Sequence, residues 1–177
     1  PVDIPDKLNQ FSASIGGPLV HDKTFFFAAG DYTRQDRTTF LSSTLPAFLL
    51  PPDGHLDYTG RYRQTLFNGR LDHKITPQQT SMLHFNLDRF YDDNPQDAVG
   101  GTNAPSVARK YSRRSWTLQF NHTSVFSPTL LNEARLTYLH GDPVTLWEAQ
   151  NLSTTYTRAG SVPFTIGQSR ASDLFGR

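Results

Sequence analysis

The chain has 177 residues, a formal net charge of +1, no Cys, one Met, 12 Gly and 12 Pro. Apolar residues make up 36% of it and the mean hydropathy is −0.51, a polar balance for a chain that should bury a Leu, Ile and Val interior. No apolar run approaches the roughly 18 residues of a transmembrane helix, the near-neutral charge gives no nucleic-acid footprint, and the lack of Cys removes disulfide frameworks, iron–sulfur sites and thiol nucleophiles.

The chain opens on Pro1-Val2-Asp3, with neither a basic nor an apolar leader, and stops at Phe175-Gly176-Arg177, so both ends are expected to be cuts through a longer chain. Helical periodicity is nearly absent and period-2 alternation dominates. Two strands are expected over about 9–20 and 24–34, joined at His21-Asp22-Lys23. Pro18 has no amide donor and belongs at a strand end or bulge, while Gly16 and Gly17 permit close approach of a neighbouring backbone. Residues 67–75 set Phe67, Leu71 and Ile75 against Asn68, Arg70 and Asp72, with His73 the one intruder on the apolar side. Residues 81–88 set Leu83, Phe85 and Leu87 against His84, Asn86 and Asp88. In 116–123, Trp116, Leu118 and Phe120 oppose Thr117, Gln119, Asn121 and Thr123; in 133–138, Ala134, Leu136 and Tyr138 oppose Glu133, Arg135 and Thr137.

The connections alternate in length. Short turns fall at His21-Asp22-Lys23, Thr76-Pro77-Gln78-Gln79 and Ser127-Pro128-Thr129, each with Pro or Asp chemistry that interrupts a ladder. Long polar segments fall at 35–63, 91–114 and from 140 onward. Loops beyond about 12–15 residues are uncommon in compact soluble domains. Transmembrane β-barrels alternate short periplasmic turns with long extracellular loops, and a tilted strand crosses the hydrocarbon in roughly 9–11 residues. The expected fold is therefore all-β: a fragment of an antiparallel transmembrane β-barrel with about six or seven strands. Aromatic residues near the strand ends (Phe25, Phe26, Phe27, Phe90, Tyr91, Tyr111, Trp116, Phe126 and Tyr138) would form interfacial girdles. The same pattern also fits a soluble or surface-attached β-sandwich that binds glycan or protein, with its apolar face as core.

If the apolar faces meet lipid, then Arg70, Asp72, His84, Asn86, Asp88, Gln119, Asn121, Glu133 and Arg135 face the lumen. Counting out from the turns pairs Arg70 with Asn86, Asp72 with His84, Leu71 with Phe85, Thr123 with Glu133, Asn121 with Arg135 and Leu118 with Tyr138. Arg outnumbers Lys 13 to 4, which suits bidentate, partly buried pairing. Catalytic signatures are missing: there is no phosphate-cradling Gly-rich loop, no nucleophile elbow and no metal-ligand spacing among the six His, so neither an enzyme nor a cofactor is expected. Asp92, Asp93 and Asp97 form a carboxylate cluster whose oxygens suit calcium only weakly: the spacing is not that of an EF-hand, a solvated polar loop is the commoner explanation, and no metal is expected.

The stretch Asn9-Gln10-Phe11-Ser12-Ala13-Ser14-Ile15-Gly16-Gly17-Pro18-Leu19-Val20-His21-Asp22-Lys23-Thr24-Phe25-Phe26-Phe27 resembles the opening barrel hairpin of TonB-dependent outer-membrane transporters. It is most similar to the Oar-like group, whose members carry a carboxypeptidase-regulatory-like domain ahead of the plug. Residues 70–76 resemble that group's RxDHxxT strand and turn, and residues 126–136 its FSPTLVNEFRxG turn and strand. Ser12 and Ala13 stand where glycines are usual, Ala134 where Phe is common, and Gly30-Asp31-Tyr32 departs from the usual YE pair. The resemblance covers most of the chain with its motifs in order. It implies a nutrient importer in the outer membrane of a diderm bacterium, driven through TonB. Its partners would be outer-membrane lipid, the plug domain of the same chain, TonB and a transported solute, with no nucleic acid. Residues 1–177 would be part of the barrel domain, with the plug, the N-terminal domain and the remaining strands lying outside it.

Overall fold

The computed structural model describes residues 6–51, 53–94, 98–147, 149, 154–157 and 159–167. Six long strands form one antiparallel meander in sequential order: β1 (Lys7–Val20), β2 (Thr24–Phe40), β3 (Asp57–Thr76), β4 (Gln79–Asp93), β5 (Arg109–Ser127) and β6 (Leu130–Trp147). A small hairpin of β7 (Thr154–Tyr156) and β8 (Phe164–Ile166) forms the other sheet. Among the described residues every long strand pairs only with its chain neighbours, so β1 and β6 each present an open edge there. Closing a barrel takes about eight strands at least, so these six are an arc of one.

The tight reversals β1–β2, β3–β4 and β5–β6 lie at one end of the sheet and the long connections 41–56 and 94–108 at the other. At the first reversal Asp22 adopts a left-handed conformation (φ 57°), and a bulge lies between Pro18 and Val20, where the missing proline donor is tolerated. Gly16 stands against Phe27, where an added Cβ would sit 3.0 Å from the Phe26 carbonyl oxygen; nothing comes that close to Gly17.

The strands run 14 to 20 residues, well past the 9–11 that a membrane crossing needs. Much of 35–63, 91–114 and the stretch after 140 is therefore strand rather than loop. These extensions carry charged residues on both faces, interleaved with Tyr58, Tyr62, Phe90, Tyr91 and Tyr111, so no clean hydrophobic alternation marks them. Cross-strand ion pairs join them instead: Arg63 Nη2–Asp36 Oδ1 at 2.6 Å, Arg37 Nη2–Asp92 Oδ1 at 2.6 Å and Arg61 Nε–Asp93 Oδ2 at 2.8 Å.

The β5–β6 register agrees with the sequence expectation, pairing Thr123 with Glu133, Asn121 with Arg135 and Leu118 with Tyr138. The β3–β4 register does not. Arg70 stands opposite His84, Asp72 opposite Met82 and Leu71 opposite Leu83, two residues from the expected partners. Thr76 pairs directly with Gln79, leaving a two-residue turn, and a bulge between Lys74 and Thr76 resets the ladder. The slip of two preserves the faces, as the period of the pleat requires.

Buried apolar side chains lie at the loop end and not within the sheet. Leu41, Leu45, Val99 and Ala108 pack together, with Leu50, Leu56, Tyr58 and Phe164 against them. Backbone bonds tie the two long connections and β8 into one cap: Ser42 N to Gly101 O at 2.7 Å, Ala104 N to Thr165 O at 3.0 Å and Thr165 N to Thr102 O at 3.0 Å. A sandwich would need a second sheet over the apolar face. The only other sheet among the described residues is the β7–β8 hairpin, which joins the cap.

Candidate functional site: the polar face of the sheet

Strand alternation sends successive side chains to opposite faces, and the ladder aligns them across strands. One face carries a band of three apolar rows. The first is Phe26, Leu71, Leu83, Phe120 and Leu136; the second is Ala28, Gly69, Phe85, Leu118 and Tyr138; the third is Gly30, Phe67, Leu87, Trp116 and His140. Rings follow one another along the band, with Phe67–Phe85 centroids 6.2 Å apart, Phe85–Trp116 6.4 Å and Trp116–Tyr138 5.2 Å. Nothing among the described residues covers it, and Leu136 is 71% exposed. His73 lies at the turn-side margin, where its Nδ1 is 2.9 Å from Thr24 Oγ1, so its polar ring leaves the band itself intact.

The opposite face gathers all nine residues expected there: Arg70, Asp72, His84, Asn86, Asp88, Gln119, Asn121, Glu133 and Arg135. The ion pairs among them run along strands, not across. Arg70 donates from Nε and Nη2 to the two Asp72 oxygens at 2.7 and 2.8 Å. Arg135 Nε donates to Glu133 Oε1 at 2.9 Å. Two residues along one strand bring side chains onto the same face about 7 Å apart at Cα, within reach of an arginine.

Asn68 holds the centre of the network. Its amide donates to Asn86 Oδ1 at 2.6 Å and lies 2.7 Å from His84 Nε2. Toward the loop end, Asp88 accepts from Gln64 Nε2 at 3.1 Å and from Arg113 Nη2 at 2.5 Å. On the β1–β2 side Asp31 accepts from Ser12 Oγ at 2.5 Å, Gln10 Nε2 at 3.0 Å and Thr33 Oγ1 at 3.2 Å. A groove of about 680 Å³ on this face is lined by the polar Asp31, Asn68, Asn86 and Asp88 together with the apolar Phe27 and Leu66.

Above the groove lies an aromatic step. Phe90 meets Tyr62 edge-on at 5.1 Å and Tyr111 at 5.7 Å, with the Arg113 guanidinium 5.9 Å from its centroid and Arg37 5.8 Å from that of Tyr62. Sequence reading places Arg37, Tyr62 and Arg113 in loops and so misses them, and it takes Phe90 and Tyr111 as girdle aromatics; carrying the alternation of residues 81–88 and 116–123 outward puts Phe90, Tyr111 and Arg113 on the polar face. Asp31 was visible only as a departure from a motif. The girdle expectation also needs correcting: Phe25, Phe27, Phe90 and Tyr111 stand on the polar face, and Phe26, Tyr91, Trp116 and Tyr138 on the other.

Two of the weak calcium candidates, Asp92 and Asp93, do not converge. Asp92 and Asp93 are consecutive on β4, so they point to opposite faces, Asp92 toward Arg37 and Asp93 toward Arg61 and the Tyr91 hydroxyl. Asp97 lies outside the described residues. Among the described residues, no three His, Asp or Glu side chains gather to hold a metal ion.

A six-stranded antiparallel meander with one bare apolar face, one polar networked face and reversals alternating short and long is the arrangement of a membrane-spanning barrel wall. The family described as outer membrane beta barrel domain matches residues 4–54 and 53–173. The chain belongs to that family. No curated protein and no solved structure matches it. Membership makes this an outer-membrane protein, built of strands; no helix among the described residues is long and apolar enough to cross a bilayer.

Proposed function

We propose that the chain is part of the barrel of a TonB-dependent, Oar-like outer-membrane transporter that imports a nutrient. The apolar band meets lipid, the polar face lines the lumen against the plug and the passing solute, and the loop-end cap is extracellular. The observation that carries this reading is the gathering of all nine expected polar residues on one face, behind a continuous apolar band on the other. The opening hairpin, with its Gly-Gly-Pro run ending at a bulge and paired with Phe25-Phe26-Phe27, supports the narrower assignment. Hydrogen-bonded amides, hydroxyls and paired charges suit a wall that exchanges contacts with a polar plug.

The test takes the full-length protein in its native cells. It should fractionate with outer membranes and migrate on gels in a heat-modifiable way. Recovery in the soluble periplasmic fraction without detergent overturns the barrel reading. Accumulation of a candidate nutrient should require the protein, TonB and the proton-motive force together. Equal uptake with and without TonB makes the protein a passive pore and overturns the transporter reading alone.

A further inference from the structure

The outer face changes character abruptly at the loop-side rim of the apolar band. Two residues beyond Leu87 comes Arg89; two residues before Trp116 comes Arg114. The ladder places these arginines directly opposite one another on β4 and β5. Like charges in a directly opposed pair repel. Both are exposed, and neither has a hydrogen-bond or ion-pair partner among the described residues. Asp142 stands opposite Arg114 on β6 but makes no ion pair with it among the described residues. Elsewhere on these strands arginines find carboxylates at 2.5 to 2.8 Å, as Arg113 does with Asp88 and Arg61 with Asp93. The positive charge of this pair is therefore offset only in part within the fold, by Asp142 across the ladder from Arg114.

Their setting says what would compensate it. Arg89 and Arg114 line an outer-face groove of about 630 Å³ with Arg63, Tyr91 and Ser112, where Asp142 is the one lining carboxylate. The row lies about 7 Å beyond the last apolar row. Trp116, which prefers the membrane–water interface, marks that boundary. At this depth an arginine lays its aliphatic stem along the band and lifts its guanidinium into the head-group layer. Guanidinium binds phosphate through paired N–H donors, and the hydroxyl of Ser112 adds a neutral donor nearby.

We propose that Arg89 and Arg114 form a binding site on the barrel's outer wall for the phosphate of an anionic lipid head group in the outer leaflet. The proposal rests on the reading that the apolar band meets lipid. It assigns the basic row to a lipid surface and not to the transported solute, which passes on the other face. The bound phosphate neutralises the opposed charges and fixes the height at which the barrel sits.

The experiment reconstitutes the full-length protein into nanodiscs of phosphatidylcholine alone or with phosphatidic acid. Lipid retained on the protein after transfer to detergent is counted by native mass spectrometry. Each arginine near an anionic surface contributes roughly fivefold, so wild type should hold phosphatidic acid over phosphatidylcholine by about thirtyfold. R89Q/R114Q should lose most of that preference, while R135Q, on the opposite face, should keep it. R89K/R114K retains charge without the planar fork and should fall between. Removing a repulsive pair leaves the strands free to fold, and heat-modifiable migration verifies it; should the glutamine variant fail to fold, the lysine variant and the wild-type lipid preference still decide. Equal retention of both lipids by wild type, or an undiminished preference in R89Q/R114Q, overturns the proposal. Displacement of the lipid by millimolar inorganic phosphate makes this a free-phosphate site and overturns the lipid assignment. A thiol at Phe85→Cys that reacts with a lipid-soluble reagent keeps the face reading intact even if the lipid site fails; no such reaction overturns both.

Discussion

Phe85 occupies the middle apolar row, with the Leu83 and Leu87 rows about 7 Å to either side, so it is the side chain on β4 nearest the centre of the band. Phe85→Arg puts a guanidinium against lipid near the midplane, at a cost of about 2–4 kcal/mol. It also removes ring contacts with Phe67 at 6.2 Å and Trp116 at 6.4 Å, each worth about 0.5–1.5 kcal/mol. The expected loss is about 3–7 kcal/mol. Asn86, one residue on, faces the other way. Asn86→Arg removes the acceptor that Asn68 meets at 2.6 Å, about 1 kcal/mol, while Asn68 keeps His84 at 2.7 Å. The new arginine would also gain Asp88 two residues along the same face, the spacing at which Arg70 meets Asp72. Adjacent residues should thus differ by at least about 2 kcal/mol, some thirtyfold in the unfolding equilibrium. Urea titration of the full-length protein folded into phosphatidylcholine vesicles, followed by heat-modifiable migration, measures it. Equal losses, or a larger one at Asn86, would refute the assignment of faces. A covered soluble core would also punish Phe85→Arg, so the companion measurement labels single Cys variants: Phe85→Cys should react only from lipid and Asn86→Cys only from water.

The β3–β4 register gives a second expectation: Leu71→Cys with Leu83→Cys should form a disulfide readily, whereas Leu71→Cys with Phe85→Cys should not, because only the first pair is directly opposed. Disulfide yield on mild oxidation decides between the two registers. Chymotrypsin added to intact cells should cut beside Phe48, which is 80% exposed at the loop end, and spare Phe126, 66% exposed beside a tight turn. Cutting at Phe126 alone would invert the orientation. Gly60 is buried where an added Cβ would clash with the Asp93 carbonyl oxygen, so Gly60→Ala must shift β4 and should cost about 1–3 kcal/mol. A thermal midpoint unchanged from wild type would show that the close approach is dispensable.

What the sequence by itself determined was the set of faces. Period-2 alternation in residues 67–75, 81–88, 116–123 and 133–138 separated Phe85 from Asn86 and Leu136 from Arg135, because in a strand the direction of a side chain depends only on parity. The β5–β6 pairs agreed with the count from the sequence too, because the bulge between Val125 and Ser127 is taken up beside the turn. Tertiary structure decided what local pattern does not encode. The β3–β4 register depends on a bulge between Lys74 and Thr76, a departure from the ladder that leaves alternation on either side intact. The strand extensions carry charged residues on both faces, which blurs the alternation, and partners far along the chain, such as Asp36 with Arg63 and Arg37 with Asp92, mark them as strands. The cap is hidden for the same reason: Leu41, Val99 and Phe164 are scattered apolar residues until three separate segments bring them together.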